Sequence, residues 1–457
     1  MKTLLTQLAK KKGADYLEIR VEDSVHTNIG YSGHDLENVL EITAYGGAIR
    51  ALYKGGWSFV SFNSLDELED MVELAIAQAK SVGNSIKEKS MLAPVNPIVD
   101  FVSHGAKNNP RDVALSKKVD LLGSYNKIIL DHSNLIKATR IVYKDTFSKK
   151  YFANSEGTYI EQEKVDMGTN FVAIASKGGP SQTYFTGVGS SNDFNVFKGL
   201  EDKMKKVAET AVMLCDCEQV DSGAYTVILD PHLSGTFIHE AFGHLSEGDN
   251  VYENPSLAEV MKMGRQFGNP ILNVYDSGLD VGTRAFLKYD DEGVPTEKTF
   301  LIREGKLVGR LHSRETAGKM GEEATGNGRA INYKHPPIPR MRNTCIQPCE
   351  VTQEEMIKGI KKGLLCKGVY GGQTNGEMFT FTSMMTYKIE DGKIGQMCQG
   401  AMLQGNVFET LKNIDVIGND FMQPDSAGGC GKGGQMPLPT SHGSPSVRIS
   451  NIVVSGK

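Results

Sequence analysis

The sequence holds no apolar run approaching the 18 or more residues of a membrane-crossing helix, so no membrane-embedded role is expected. It has no strong excess of either charge. Fifty Lys and Arg stand against 55 Asp and Glu, a net of −5, which gives no polyelectrolyte reason to expect nucleic acid as a partner. Cysteine is scarce: there are 7, an odd number, and neither Cys215/Cys217 nor Cys345/Cys349 makes a C-x-x-C. That argues against both a disulfide framework and a structural zinc knuckle. The opening stretch, MKTLLTQLAKKKGADY, lacks the apolar core and small-residue cleavage site of a secretory leader and reads as a short amphipathic helix. Together these absences favour a cytoplasmic protein in a reducing compartment. No repeat with a period of about 20–50 residues is present, which excludes solenoids and propellers.

What the chain does have is length and glycine. With 457 residues, 39% hydrophobic and 23% charged, it is long enough for two or three domains and too apolar for wholesale disorder. Its 50 glycines exceed the roughly 32 of average usage and gather in turns and one late loop. The first half alternates strands and helices. YLEIRVED (Tyr16 to Asp23) and ITAYGGAIRALY (Ile42 to Tyr53) alternate with period two. Ser64 and Glu67 form a capping-box pattern before an apolar helical stripe that stops at Gly83. Residues 92–111 read as a Pro-containing connection, followed by a helix to Ile129 and strands at 138–146, 150–154 and 158–165, with Asn154 to Gly157 as a hairpin turn. A helix carrying Met204, Val207, Ala208 and Ala211 closes this half. The second half is strand-rich, with a capping box at Thr352/Glu355 and an Asp391-Gly392 hairpin turn. The expected fold is α+β: an α/β N-terminal domain over 1–217 and a β-rich C-terminal domain over 218–457.

The chemistry concentrates in YTVILDPHLSGTFIHEAFGHLSEGD. A strand runs into Asp230, a good N-cap, and Pro231, suited to the first helical position. The helix then carries His239, Glu240 and His244, an H-E-x-x-x-H. In the familiar H-E-x-x-H the two histidines are about 40° apart on the helix and share a metal. Here five steps of about 100° leave them roughly 140° apart. Either these are ordinary histidines of an amphipathic helix, or the helix takes up an extra residue as a π turn, a distortion frequent at functional sites. Such a turn is expected as a break in the hydrogen-bond ladder within Phe242 to Leu245, at Gly243.

A catalytic zinc needs a third protein ligand. The candidates are Glu247 and Asp249 nearby, and His312, His335, His442 and Cys430 farther off. Cys430 stands in SAGGCGKGGQ, a loop whose glycines allow close approach of backbone to a ligand. Phosphate cradling by this loop is disfavoured, since Lys432 is followed by Gly433 rather than Ser or Thr.

These segments, with GADYLEIRVED, GGWSFVSFNS, YDDEGVPTEKTFLIREGKLVGRLHSRETA, GNGRAINYKHPPIPRMRNT, GVYGGQT and GGCGKGGQMP, resemble the TldD/PmbA family of metallopeptidases over nearly the whole chain, in its branch that keeps the HExxxH motif. The resemblance implies a zinc-dependent peptidase with its metal in the C-terminal domain, acting on flexible or unfolded peptides. It implies His239, His244 and Cys430 as ligands and Glu240 as the catalytic carboxylate. It also implies a dimer, either of identical chains or with a related, non-catalytic family member. General chemistry then makes Glu240 the base that takes a proton from a zinc-bound water and later passes it to the leaving amine. Arg329 and Tyr333 are candidates for contacting substrate, and the strands from Gly371 to Lys388 for holding a peptide by strand addition. The competing function is a non-catalytic partner or scaffold with a vestigial site. A hydrolase of non-peptide amides would use the same activated water.

Overall fold

The computed structural model describes residues 1–424 and 426–456. The period-two segments near the start lie in two long antiparallel strands, β1 (Tyr16–Ser32) and β2 (Asp35–Tyr53), followed by β3 (Gly56–Phe62). With β4 (Val99–Val102), β5 (Ile136–Asn154), β6 (Tyr159–Ala175) and β7 (Gln182–Ser190) they form one sheet, ordered β3-β2-β1-β5-β6-β4, with β7 also on β6. The stretch read as a plain connection therefore contributes a strand, β4, which pairs parallel with the start of β6. The strands expected at 138–146 and 150–154 are one strand, because Phe147, Ser148 and Lys149 between them keep the ladder to both β1 and β6.

Alternation sorts the two faces of this sheet. Odd-numbered residues such as Leu17, Ile19 and Val21 pack under α1 (Lys2–Ala9) and α2 (Leu68–Ser85). Farther along, Ile141, Val165, Met167 and Phe171 pack under α3 (Leu115–Leu130) and α4 (Glu201–Leu214). The start of α2 departs from the capping box read in the sequence. The helix begins at Leu68, and the Ser64 hydroxyl accepts the Asp66 N–H instead, at 3.2 Å. Gly83 does not end α2, which runs to Ser85. A Cβ there would lie 1.9 Å from the Tyr53 carbonyl oxygen, so its glycine serves close helix–strand packing. The Thr352/Glu355 capping box is made.

The even-numbered face of the sheet is polar, yet it is buried by residues of the second half. Arg50 bridges Glu18 at 2.6 Å and Glu292 at 2.7 Å, and Lys150 meets Asp291 at 2.6 Å. In the second half, five strands pair into a closed ring: Lys362–Asn375, β8 (Gly223–Leu229), Val447–Ser455, Met402–Asn406 and Met378–Glu390, the last pairing back to the first. Lys393–Gln399 joins its flank through Asp391-Gly392, both at positive φ (46° and 73°), as a two-residue hairpin turn requires. Among the described residues no helix is long and apolar enough to cross a membrane, and no cysteine is in a disulfide.

Candidate metal centre and active site

The Asp230 carboxylate accepts the Leu233 N–H at 2.9 Å and caps α5 (Pro231–Ile238), with Pro231 in the first turn as its fixed φ favours. Leu233 and Phe237 fill the strand ring, where Phe237 packs edge-on against Phe379 and Phe381. With one face so anchored, Glu240 and His244 line a cleft of about 530 Å³ with Asn250, Gly372, Gln373 and Gly431.

Between the two histidines the helix widens. His239–Gly243 is a π turn, and the His244 N–H bonds the His239 carbonyl five residues back. The i→i+5 repeat brings the imidazoles together, with ring centroids 5.4 Å apart. A 3₁₀ turn, His244–Ser246, follows, and the chain is extended at Glu247. Gly243 has helical φ and ψ (−57°, −54°), so its conformation does not demand glycine. Space does: a Cβ there would lie 2.0 Å from the Met341 sulfur. Gly243→Val is therefore expected to push the π turn off the Met341 segment, costing about 1–3 kcal/mol of overpacking and part of the metal affinity. Melting temperature and metal content per chain check this, and an unaltered metal content would contradict it.

His239, His244 and Cys430 each present a ligand atom, and the three atoms lie within 4.8 Å of one another. Cys430 Sγ is 3.2 Å from His244 Nε2. Tetrahedral zinc with bonds of about 2.0–2.3 Å requires ligand-to-ligand edges only slightly above 3 Å, so the donor set fits that ion. Two further observations agree. His239 Nδ1 is buried without a hydrogen-bond partner among the described residues. Burial first, and then the His244, His442 and Arg340 charges, hold the His239 imidazole well below its ordinary value, in the neutral form a ligand needs. Burial also disfavours a charged His244, but its bonds to Cys430 and Glu247 outweigh this and raise it to about 10.

Behind the donors stands a set of fixing contacts. His244 Nδ1 meets the fully buried Glu247 carboxylate at 3.1 Å, and Lys432 pairs with Glu247 at 3.0 Å and Asp249 at 2.6 Å. Burial pushes the Glu247 carboxyl up, but Lys432 and His244 bring it below its ordinary value. Arg340 donates to the Cys430 carbonyl at 2.9 Å. The Gly433-Gly434 turn, both residues at positive φ, folds Cys430–Lys432 onto Gln435–Leu438 and presents the thiol. Glu240 has a carboxylate oxygen 3.9 Å from His244 Nε2, and burial raises its carboxyl above the ordinary value.

The other candidates lie elsewhere. Glu247 and Asp249 support His244 and Lys432 rather than joining the three donors. His312 is tied to Thr316 and Glu322, each at 3.0 Å, and His442 to Thr236 at 3.1 Å. His335 supplies a backbone carbonyl to Arg20. Arg329 and Tyr333 do not line the Glu240 cleft. Arg329 gives one N–H each to the Met341 and Pro439 carbonyls, and the Tyr333 hydroxyl donates to Asn63 at 2.7 Å. Glu247 as the carboxylate behind His244, Arg340 and the Met341 packing were missed in the sequence. The i+3 spacing of Glu247 from His244 was the one available sign.

Comparison with known proteins leads the same way. The chain is 41% identical to a metalloprotease of Synechocystis sp. over 97% of its own length and 95% of the relative's. It is 26% identical to a Saccharolobus solfataricus protein named a zinc metalloprotease TldD homolog, over 98% of both chains. TldE of Thermococcus kodakarensis shares the fold, with a TM-score of 0.78 at 19% identity over 100% of both chains. The class the first two relatives define is that of metalloproteases. The models of PmbA/TldA metallopeptidase domain 1, central domain and C-terminal domain match residues 17–79, 108–214 and 222–456. The chain belongs to the PmbA/TldA metallopeptidase family, the TldD/PmbA family that its motifs resemble.

Proposed function

We propose that this chain is a zinc-dependent peptidase that hydrolyses peptide bonds in flexible or unfolded peptides, with His239, His244 and Cys430 holding zinc and Glu240 as general base. The supporting observation is the convergence of two imidazoles and a thiol beside a carboxylate that lines an open cleft. When bound, zinc supplies a Lewis acid that acidifies water and polarises the scissile carbonyl.

The chain's own groups do the rest. Glu240 takes the proton of the attacking water and returns it to the leaving nitrogen, and burial, which raises its carboxyl, suits it to both tasks. Glu247 orients the His244 ring through Nδ1, leaving Nε2 on the Cys430 side. Arg340 tethers the Cys430 backbone. The substrate's backbone is gripped by strand addition. Residues 371–375 pair with 378–382 on one side, whereas pairing of this strand with β8 ends at Cys366. Gly372, Gln373 and Thr374 therefore bring a strand edge to the cleft. The same reading divides the chain into 1–217 and 218–457. It has the protein act in the cytoplasm as a dimer, with a second copy or with a family member that lacks the motif.

A chain paired within a compact domain cannot also pair with that edge. The expected result is zinc-dependent cleavage of an unstructured peptide, abolished by a chelator and restored by zinc. A native domain should be cut about 10³-fold more slowly or worse, since only its unfolded fraction is available. Comparable rates on native and unfolded forms of one domain would contradict this reading. One zinc per chain with no turnover of any peptide would favour the non-catalytic subunit instead.

A further inference from the structure

A second cavity, of about 370 Å³, lies behind the Cys430 hairpin and shares no lining residue with the Glu240 cleft. Its floor is the polar face of the N-terminal sheet. Across β1, β5 and β6 the register aligns Glu22 with Lys150, Ser24 with Ser148 and Lys164, and His26 with Thr146 and Asp166. Its roof comes from the second half, with Arg284, Asp291 and Arg329 beside Ala427, Gly428 and Leu438.

The charges around this cavity do not balance. Among the described residues six Lys and Arg side chains line it against three carboxylates. Two of the carboxylates are engaged already: Arg284 binds Asp166 at 2.9 and 2.7 Å, and Lys150 binds Asp291 at 2.6 Å. Lys164, half-buried on the floor, makes no hydrogen bond or ion pair among the described residues. Arg329, buried in the roof, donates among the described residues only to backbone, to the Met341 carbonyl at 2.5 Å and the Pro439 carbonyl at 2.7 Å. Burial of a cation without a counter-charge is costly. Its effect is visible at Lys164: burial, and then the Arg329, Lys150 and Arg284 cations, outweigh the attraction of Asp166 and push the ammonium down to about 7. Glu22 is the exception, with one buried carboxylate oxygen that lacks a partner among the described residues. It sits two strands away from Lys164, about 10 Å across the sheet, so it leaves the Lys164 end of the cavity electropositive.

We propose that this cavity binds a small oxyanion, a phosphate or carboxylate group, between the Lys164 ammonium and the Arg329 guanidinium. The site is independent of the metal centre. It reaches the segment that leads to Cys430, because Arg284 on the same roof donates to the Ser426 carbonyl and, at 2.6 Å, to that of Gly428.

The test is calorimetric titration of the full-length protein with inorganic phosphate and, separately, with succinate, at low salt and slightly below pH 7. At least one should bind at one per chain. Binding of phosphate alone identifies a tetrahedral anion as the ligand, binding of succinate alone a carboxylate, and binding of both a general oxyanion site. Lys164→Met should weaken binding about ten- to a hundredfold, the loss of one charge-assisted hydrogen bond. The variant removes an unpaired cation, so its melting temperature without anion should not fall, while the rise produced by anion should vanish. Lys205→Met, on an exposed stretch of α4, should keep both the affinity and the rise. No binding of either anion, or binding undiminished in Lys164→Met, would overturn the proposal.

Discussion

Glu240→Gln is expected to retain one zinc per chain and to bind an unstructured peptide with near-normal affinity, while kcat falls about 10²–10⁴-fold. The substitution keeps the shape of the side chain and its place in the cleft. It removes the lone pair that accepts the proton of the attacking water and the acid that returns it to the leaving amine. Glu240 lies 3.9 Å from His244 and outside the group of three donors, so metal content should not follow it. The loss should fall on kcat with KM little changed, the pattern of an interaction made only in the transition state. Zinc per chain, peptide affinity and single-turnover rate, measured on the same preparation, separate the possibilities. Near-normal turnover would remove Glu240 from the mechanism, and a parallel loss of zinc would make it a ligand instead.

The part of this site legible in the sequence is the part written in local spacing. Two histidines five residues apart cannot share an ion on a regular helix, so the spacing pointed either to ordinary histidines or to a π turn within Phe242 to Leu245; the π turn is present and lies slightly earlier, at His239–Gly243. The cap at Asp230 and the hairpin turn at Asp391-Gly392 were likewise legible, because each needs only neighbouring residues. The choice of Cys430 over the other remote candidates was not spacing-based; it came from resemblance. Least legible were the groups that arrive from far along the chain. Met341, whose sulfur requires glycine at 243, and Arg340, which holds the Cys430 carbonyl, carry no local pattern that marks them.

The polar face of the first sheet shows a different limit. Alternation in YLEIRVED separates apolar Leu17, Ile19 and Val21 from Glu18, Arg20 and Glu22, but it does not say what covers the polar side. Here protein covers it, and all three charged residues are buried. Glu18 pairs with Arg50 on the neighbouring strand, but Arg50 and Arg20 reach Glu292 and Asp291, more than 240 positions along the chain. A pattern that reads as a solvated face is therefore the seam on which the two halves meet.

Cys430→Ser should lose most of the bound zinc, whereas Cys345→Ser should keep it. A serine hydroxyl stays protonated at neutral pH and is a poor zinc ligand, so the substitution reduces the site to two imidazoles. Cys345 is the fair control: it is also buried, burial pushes its thiol up, and it points at the Asn343 carbonyl rather than at the histidines. A graded response should separate ligand from support. Glu247→Gln leaves all three donors but weakens the hold on His244, and loss of such a group typically costs 10–100-fold in metal affinity. Cys430→Ser should cost more than that. If Cys430→Ser retained full zinc occupancy at wild-type affinity, the 3.2 Å approach of its sulfur to His244 would be a packing contact, and the third ligand would have to be sought among the carboxylates of the cleft.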